Sequence, residues 1–408
     1  MIGIVAYMAE QKKDKVIIHR AIDDKEDTLV TEDWQELVEF LTEGRDLALS
    51  ICWNLVQFRD CLFSLLPPNK REELKTSNKI QTGNTGIYTM IYSISYLLGI
   101  TTCRAKPNNY YDILKRNNFY GIAGAPYWLP SSTKEPSTVA ELEKLGYSII
   151  VGLEKMEIYP NKLTSPIGVF VDTLDISKLP TIHSFDKTAI DAQLWADKIL
   201  AYEWRESFGS TSKDEYHYDL TSAYGSFAVD LPNTDHAEII HSEKWINCDW
   251  GIVKSELVAS SKVSPLDPDA EYFTTEEILW GVNHDHKFEL ADGWYFNFNG
   301  DNPYKAILER LLDIKQNNDG LVEYLAKRMQ QGIAGKLGQV NDNGTWGELF
   351  NPILSLMIRS RCRLAVADFI YSNNLENNLI EVKVDGVTAT KKLDLPTISE
   401  AGEWRMEV

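Results

Sequence analysis

The residues best suited to chemistry lie in Tyr216-His217-Tyr218-Asp219-Leu220-Thr221-Ser222-Ala223-Tyr224-Gly225-Ser226. A short strand pattern delivers one carboxylate, Asp219, at its end. A small-residue turn then sets a hydroxyl, an aromatic ring and a glycine directly after it. Backbone N–H groups opened by such a turn bind phosphate oxygens, and a carboxylate beside them neutralises a magnesium ion bridging the same oxygens. The chemistry expected is a divalent cation held against a triphosphate. The plainer alternative is a strand end with a Ser-rich turn, and on this stretch alone it is the stronger of the two.

A second carboxylate of this kind is Asp385. Leu379-Ile380-Glu381-Val382-Lys383-Val384-Asp385-Gly386-Val387-Thr388-Ala389 alternates at period two about Asp-Gly, a strong hairpin signal, though such hairpins are also common as plain structure. Between the two carboxylates lie two helical patterns bearing cations. Pro303 opens the first, Ala306, Ile307, Leu308, Leu311, Leu312 and Ile314 give it an apolar side, and Asn317-Asn318-Asp319-Gly320 marks a turn before a second helix from near Leu321. Lys315 on the first and Lys327 on the second can grip a phosphate from opposed sides, the positioning that phosphoryl transfer chiefly demands. A Lys beside the Gly-rich end of Lys327-Arg328-Met329-Gln330-Gln331-Gly332-Ile333-Ala334-Gly335-Lys336-Leu337-Gly338 also serves as a plain helix C-cap.

The elements that must position these groups follow from the apolar pattern. Gly3 to Met8 and Lys15 to His19 read as strands, followed by a helix capped at Thr31 with Trp34, Leu37, Val38 and Leu41 on one side and ended by Gly44. A strand, Leu47 to Trp53, and a helix, Phe58 to Leu66, complete an α/β layer. Ser131 to Thr138 is a surface loop, strand-like and loop segments run to about Pro180, and Ala189 to Tyr202 is a helix with Ile190, Leu194, Ile199 and Leu200 on one side. Gly251 to Val258 reads as a strand, Thr274 or Thr275 caps a short helix, and Pro352 opens a long amphipathic helix, Ile353 to Tyr371, with Arg359, Arg361 and Arg363 at its centre.

With 408 residues and 44% hydrophobic content, the chain can bury one large core or two smaller ones, and two or three domains are expected. No apolar run reaches the roughly twenty residues of a membrane span, so no membrane partner and a cytoplasmic protein are expected. Cys52, Cys61, Cys103, Cys248 and Cys362 are odd in number and scattered, which indicates neither a disulfide framework nor a zinc site. His284 and His286, with only Asp285 nearby, read as a polar loop. A net charge of −19 excludes a protein that coats nucleic acid by charge alone. A nucleic-acid path would be a local channel drawn from Lys305, Arg310, Lys315, Lys327, Arg328, Lys336, Arg359, Arg361 and Arg363, each of which also reads as part of a solvated helix face.

In order and spacing, these stretches resemble the three motifs of family B DNA polymerases, in the protein-primed, phage and plasmid branch. Asp219, Ser222, Tyr224 and Ser226 fit motif A, Asp-x-x-Ser-Leu-Tyr-Pro-Ser, with Ala223 and Gly225 in place of Leu and Pro. Lys327 and Gly335 stand in register with motif B, Lys-x-x-x-Asn-Ser-x-Tyr-Gly, Gln331 at the Asn and Ala334 at the Tyr. Asp385 falls at the second Asp of motif C, Tyr-x-Asp-Thr-Asp-Ser, and Lys383 replaces the first.

The resemblance implies an α/β and α+β protein: a ribonuclease-H-like exonuclease domain over 1–185, a palm over 186–298 and 341–408, and two-helix fingers over 299–340. It implies two magnesium ions about 4 Å apart, with manganese as a substitute, held by Asp219, the Leu220 backbone and Asp385. The incoming deoxynucleoside triphosphate would meet Ser222, Ala223, Tyr224, Lys315, Lys327, Gln331 and Gly335, with Tyr224 closed against a ribose 2′-hydroxyl. Asn54-Leu55-Val56-Gln57-Phe58 is similar to part of the second exonuclease motif, but Arg59 stands where the metal-binding Asp would be, Asp60 is displaced by one, and only Glu10 lies beyond the first strand. Tyr110-Tyr111-Asp112 reads as a loop, and the expected exonuclease is dead. Tyr202-Glu203-Trp204-Arg205 stands where relatives carry Tyr-x-Gly-Gly.

The chain runs only to Val408, short of a thumb, so low processivity or a second protein supplying the thumb is expected. The activity implied is templated DNA polymerisation, or primase-like nucleotidyl transfer, on a DNA primer–template or single-stranded template, without proofreading, in a virus or mobile element. The alternatives are a non-catalytic polymerase-like DNA-binding scaffold, a subunit of a split polymerase, and template-independent addition.

Overall fold

The computed structural model describes residues 3–12, 15–23, 25–42, 48–52, 58, 61, 65, 80–82, 85–87, 92–93, 136–159, 166–174, 179, 187–200, 202–209, 214–235, 237–259, 263–341 and 344–407. Two compact units result, one of Met1–Leu174 with Asn317–Arg328 and one of Asp175–Gln316 with Met329–Val408. The expectations at Gly44, Asn54 to Gln57, Arg59, Asp60, Cys103 and Tyr110 to Asp112 lie outside the described residues.

In the first unit, β1 (Gly3–Lys12), β2 (Lys15–Ile22) and β3 (Lys25–Thr31) form an antiparallel meander, and α1 (Trp34–Thr42) leads to β4 (Ala48–Cys52), parallel to β1. A short pair, β5 (Ile80–Thr82) and β6 (Thr85–Ile87), stands apart, and β7 (Tyr92–Ser93) completes the sheet order β3-β2-β1-β4-β7. β3 is absent from the sequence expectation, and Thr31 ends that strand instead of capping α1. Its hydroxyl accepts from Asp33 N–H, while the Asp33 carboxylate takes Glu36 N–H at 3.3 Å and so caps the helix.

Four consecutive residues of β1, Ile4 to Tyr7, are fully buried, the pattern of a strand covered on both faces. Val5 and Tyr7 pack with Leu37, Leu41 and Phe58. The other face meets α2 (Val139–Lys155), where the Tyr147 hydroxyl accepts from Ile4 N–H. This helix and α3 (Pro166–Asp172) replace the strand and loop segments expected there. Thr138 caps α2 by accepting from Glu141 N–H, and the Ser137 hydroxyl and amide hydrogen bonds hold the Glu141 carboxyl below its usual range.

The second unit begins with α4 (Lys187–Ile199), whose buried side is Ala192, Gln193 and Ala196; Leu194, expected there, is 39% exposed. Next come β8 (Arg205–Ser207), β9 (Tyr216–Leu220), α5 (Ala223–Val229), β10 (Glu238–Ser242), β11 (Trp250–Ala259) and β12 (Tyr272–Thr274). α6 (Thr275–Asn283) starts at a capping box between Thr274 and Glu277, as the sequence predicts, and β13 (Lys287–Asn297) follows. α7 (Lys305–Asn317) and α8 (Gly320–Leu337) are joined by two residues, with Gly320 at φ +60. α9 (Pro352–Ser372), β14 (Leu379–Lys383), β15 (Gly386–Ala389) and β16 (Trp404–Glu407) close the fold.

Two antiparallel sheets result, ordered β16-β9-β15-β14-β8 and β10-β13-β11-β12. In the second, Gly251 of β11 is required by the neighbouring backbone, since a Cβ there would stand 2.8 Å from the Trp294 carbonyl oxygen. Because a paired strand cannot yield as a side chain does, Gly251→Ala is expected to cost about 1–3 kcal/mol in urea unfolding.

α9 lies under the first sheet, with Val366, Ala367, Phe369 and Ile370 against Tyr218, Val382, Val387 and Ala389. It is buried along most of its length, with Asp368 and Ser372 exposed, and so is not amphipathic as expected; polar groups around its start are paired. Gln193 Nε2 donates to Asn351 Oδ1, Asn351 Nδ2 to Thr234, and Ser355 to the Ala334 backbone carbonyl oxygen at 2.6 Å. His284 to His286 form the expected loop between α6 and β13, but His286 is buried in it; burial drives its pKa down, and His284 stacks on Trp280 at 4.0 Å between centroids. None of Cys52, Cys61, Cys248 or Cys362 forms a disulfide. No described helix is long and apolar enough to cross a membrane.

Candidate active site

β9 lies between β15 and β16, and its alternation turns Tyr218 and Leu220 inward and Asp219 outward. Asp219 stands opposite Gly386 on one side, and Leu220 N–H donates to the Asp385 carbonyl oxygen at 3.0 Å. Asp219, at the end of one strand, and Asp385, in the turn of the neighbouring hairpin, are thereby set at the same end of the sheet. Cys362 of α9 lies beneath them: burial first, then the charges of Asp385 and Asp219, push its thiol pKa up.

The turns carrying these groups hold strained backbone. Val384 adopts φ +57, a left-handed conformation that a β-branched residue resists, and its N–H donates to the Trp204 carbonyl oxygen at 3.0 Å. Val384-Asp385 is thus the two-residue loop, and Gly386, expected in the turn, is instead the first residue of β15, paired with Lys383. Ser222, at φ +52, is the N-cap residue of α5 but makes no side-chain cap bond. Its hydroxyl accepts from Lys315 Nζ, which joins two of the residues expected to bind nucleotide.

Ala223 is buried with Leu220 and Cys362, and Tyr224 packs on that cluster. Burial foremost, with Glu203 and Asp385 nearby, pushes the Tyr224 hydroxyl up to about 12, so it stays protonated and can donate a hydrogen bond. On α8, Gln331 and Gly335 are exposed. Gln330 is the buried neighbour, with Oε1 3.1 Å from where a Cβ on Gly225 would stand, so the glycine leaves room for it. Ala334 is fully buried beside α9. Lys327 belongs to the segment grouped with the first unit and is half-buried there.

Sequence reasoning missed Arg405. It stands opposite Asp219 on β16, and its Nε and Nη2 donate to Asp219 Oδ2 at 3.1 and 2.9 Å. The alternation Trp404-Arg405-Met406-Glu407 hints at a strand with one charged face, but nothing local names its neighbour. Lys383, expected from the sequence at the place of an acid, pairs with Glu381 at 2.6 Å.

The arginines of α9 do not form a free basic face: Arg359 pairs with Glu203, Arg361 with Glu276, and Arg363 with Glu277. Lys305 pairs with Glu309, and Lys336 donates to Gln339. A cavity of about 470 Å³ lined by Lys198, Tyr202, Tyr272, Glu277 and Arg363, among others, includes neither Asp219 nor Asp385.

Among the described residues no three His, Cys, Asp or Glu side chains group as a metal cage. Two carboxylates and a backbone carbonyl nonetheless suit magnesium, which takes hard oxygen donors, commonly one or two carboxylates, and completes its shell with phosphates and water. The donor set fits a cation that arrives with a nucleotide, not one caged by protein alone.

This mixed α/β architecture is similar in fold to a DNA polymerase. Among the solved structures it resembles are those of phi29 DNA polymerase. The ternary complex with primer–template DNA and incoming nucleotide superposes with a TM-score of 0.62 at 13% identity, covering 98% of this chain and 83% of that one. The post-translocation binary complex with primer–template DNA gives 0.63 at 13%, covering 99% and 84%. The complex with single-stranded DNA gives 0.60 at 13%, covering 98% and 83%. No protein-family profile matches the chain, and no curated protein matches it in sequence.

Proposed function

We propose that the chain is a family B-type, DNA-directed DNA polymerase or primase-like nucleotidyltransferase, with 186–298 and 341–408 as palm, 299–340 as fingers and 1–185 as an exonuclease-shaped domain without activity. The observation that carries this reading is the meeting of Asp219 and Asp385 at one end of a sheet, beside the Lys315–Ser222 contact.

Asp219, the Leu220 carbonyl and Asp385 would hold magnesium. When bound, the metal supplies charge stabilisation to the triphosphate and lowers the pKa of the attacking 3′-hydroxyl. Ser222 and Lys315 position the phosphates, with Lys327, Gln331 and Gly335 on the fingers. Tyr224 would abut the sugar and select deoxynucleotides.

Loss of proofreading is proposed from the sequence, where Arg59 stands at the place of the metal-binding Asp. A primer-extension assay with magnesium tests the reading: incorporation that depends on both Asp219 and Asp385 upholds it, and its absence overturns it. Because a charge-assisted contact to phosphate contributes about 1.5–3 kcal/mol, Lys315→Ala should lower kcat/KM for nucleotide roughly 10- to 100-fold, mostly through KM, in single-nucleotide kinetics.

A second reading, a DNA-binding polymerase-like scaffold, is favoured by the pairing of Arg405 with Asp219 and by Lys383 at the place of an acid. DNA affinity unchanged on adding magnesium and deoxynucleotide, with no incorporation, would support it.

A further inference from the structure

The acidic end of the β9–β15–β16 face already has a cation of its own. Arg405 bonds Asp219 through two nitrogens that converge on one oxygen, Oδ2. The same Nη2 lies 3.5 Å from Glu407 Oε1. Arg405 and Glu407 are two residues apart on β16, so both side chains leave on the face that carries Asp219. A guanidinium does not lose its proton at working pH, so it leaves a carboxylate only by moving to another acceptor. Glu407 is that acceptor, within a small rotation of the bond already made. The groups are water-accessible, with side-chain exposures of 33% for Arg405, 24% for Asp219 and 53% for Glu407, so the exchange strands no charge in an apolar interior.

We infer that Arg405 is the resident counter-ion of Asp219 and sets the metal affinity of the site, yielding to a divalent cation by transferring to Glu407. The inference rests on reading Asp219 as a metal ligand. In the metal-free chain the guanidinium offsets the charge of two neighbouring carboxylates and keeps Asp219 oriented. The incoming cation must compete with it for Oδ2, so binding is weaker than the carboxylates alone would give. Lys383 provides the comparison, since its charge lies on the same sheet but is spent on Glu381.

Titration of the full chain with Mn²⁺ alone, following the free ion by electron paramagnetic resonance, tests this. Arg405→Gln is expected to bind Mn²⁺ roughly three- to tenfold tighter than wild type, and Lys383→Gln to change it less than about twofold. Arg405→Lys, which keeps the charge without the two-nitrogen bond, falls between. In thermal melting, Arg405→Gln should be less stable than wild type in chelator and gain more from added Mn²⁺.

If Arg405→Gln binds Mn²⁺ no more tightly than wild type while Asp219→Asn still abolishes binding, the counter-ion role is wrong and the metal site stands. Equal tightening by Lys383→Gln reduces Arg405 to a general field effect and likewise overturns the role. If Asp219→Asn leaves Mn²⁺ binding intact, the metal site and the inference fall together.

Discussion

Asp219→Asn and Asp385→Asn are each expected to reduce templated incorporation about 10³-fold or more, a barrier increase of at least ~4 kcal/mol, with little change in melting temperature. The large factor follows from how little acid the site holds. With Lys383 at the third acidic place and bound to Glu381, and no group of three metal-ligating side chains among the described residues, the proposed site depends on two carboxylates. Losing either removes half of that charge. The small effect on folding follows from position: Asp219 is on the outward face of β9, Asp385 is in a two-residue loop, and Asn preserves the shape of each. Arg405 keeps Glu407 as a partner, and an exposed pair of that kind contributes at most about 1 kcal/mol. Circular-dichroism melts run beside single-turnover extension separate the two effects. Retention of more than about a tenth of wild-type rate in either variant would rule out a two-carboxylate site.

The strained turns explain why substitution should spare the geometry. Val384 and Ser222 each occupy a left-handed conformation next to a proposed ligand, and each is fixed by a partner outside its own turn: the Trp204 carbonyl oxygen for one and Lys315 for the other. Rigid strands and over-determined loops, not the carboxylates themselves, hold the site in shape.

Local pattern sufficed where an element answers to its own residues. The β9 alternation, the capping box at Thr274, the Asn317–Gly320 turn and the Leu379–Ala389 hairpin are all present. α2 was misread because Gly146, Gly152 and the β-branched run at Ile149-Ile150-Val151 argue against a helix. Yet Thr138 and Glu141 form its cap, and Gly146 is where the helix comes closest to Ile4 and Ile51. Arg405 was invisible because antiparallel pairing of β16 with β9 joins segments distant in sequence. The α9 arginines were misassigned for the same reason. Their partners Glu203, Glu276 and Glu277 lie far upstream, so an internal ion pair looked like a solvated face.

The last of these pairs makes the second large prediction. Arg363 and Glu277 are 6% and 5% exposed at the side chain. Glu277 serves two elements at once: one oxygen accepts Thr274 N–H at 2.9 Å in the α6 capping box, and the other accepts from Arg363, which also donates to the Tyr202 carbonyl oxygen at 3.1 Å. Removing one partner's charge leaves the other full charge in a site that water scarcely reaches, so Arg363→Met or Glu277→Gln alone should destabilise by about 3–5 kcal/mol. For a unit of this size that is a fall in Tm on the order of 10 °C. Desolvation nearly cancels the attraction within a buried pair, so the double variant Arg363→Met/Glu277→Gln should recover most of the loss, keeping an acceptor for Thr274 while removing both charges. A double-mutant cycle in guanidinium chloride measures this directly. Additive losses would mean that the two residues stabilise the second unit independently, through packing and capping, and that the ion pair between α6 and α9 contributes nothing of its own.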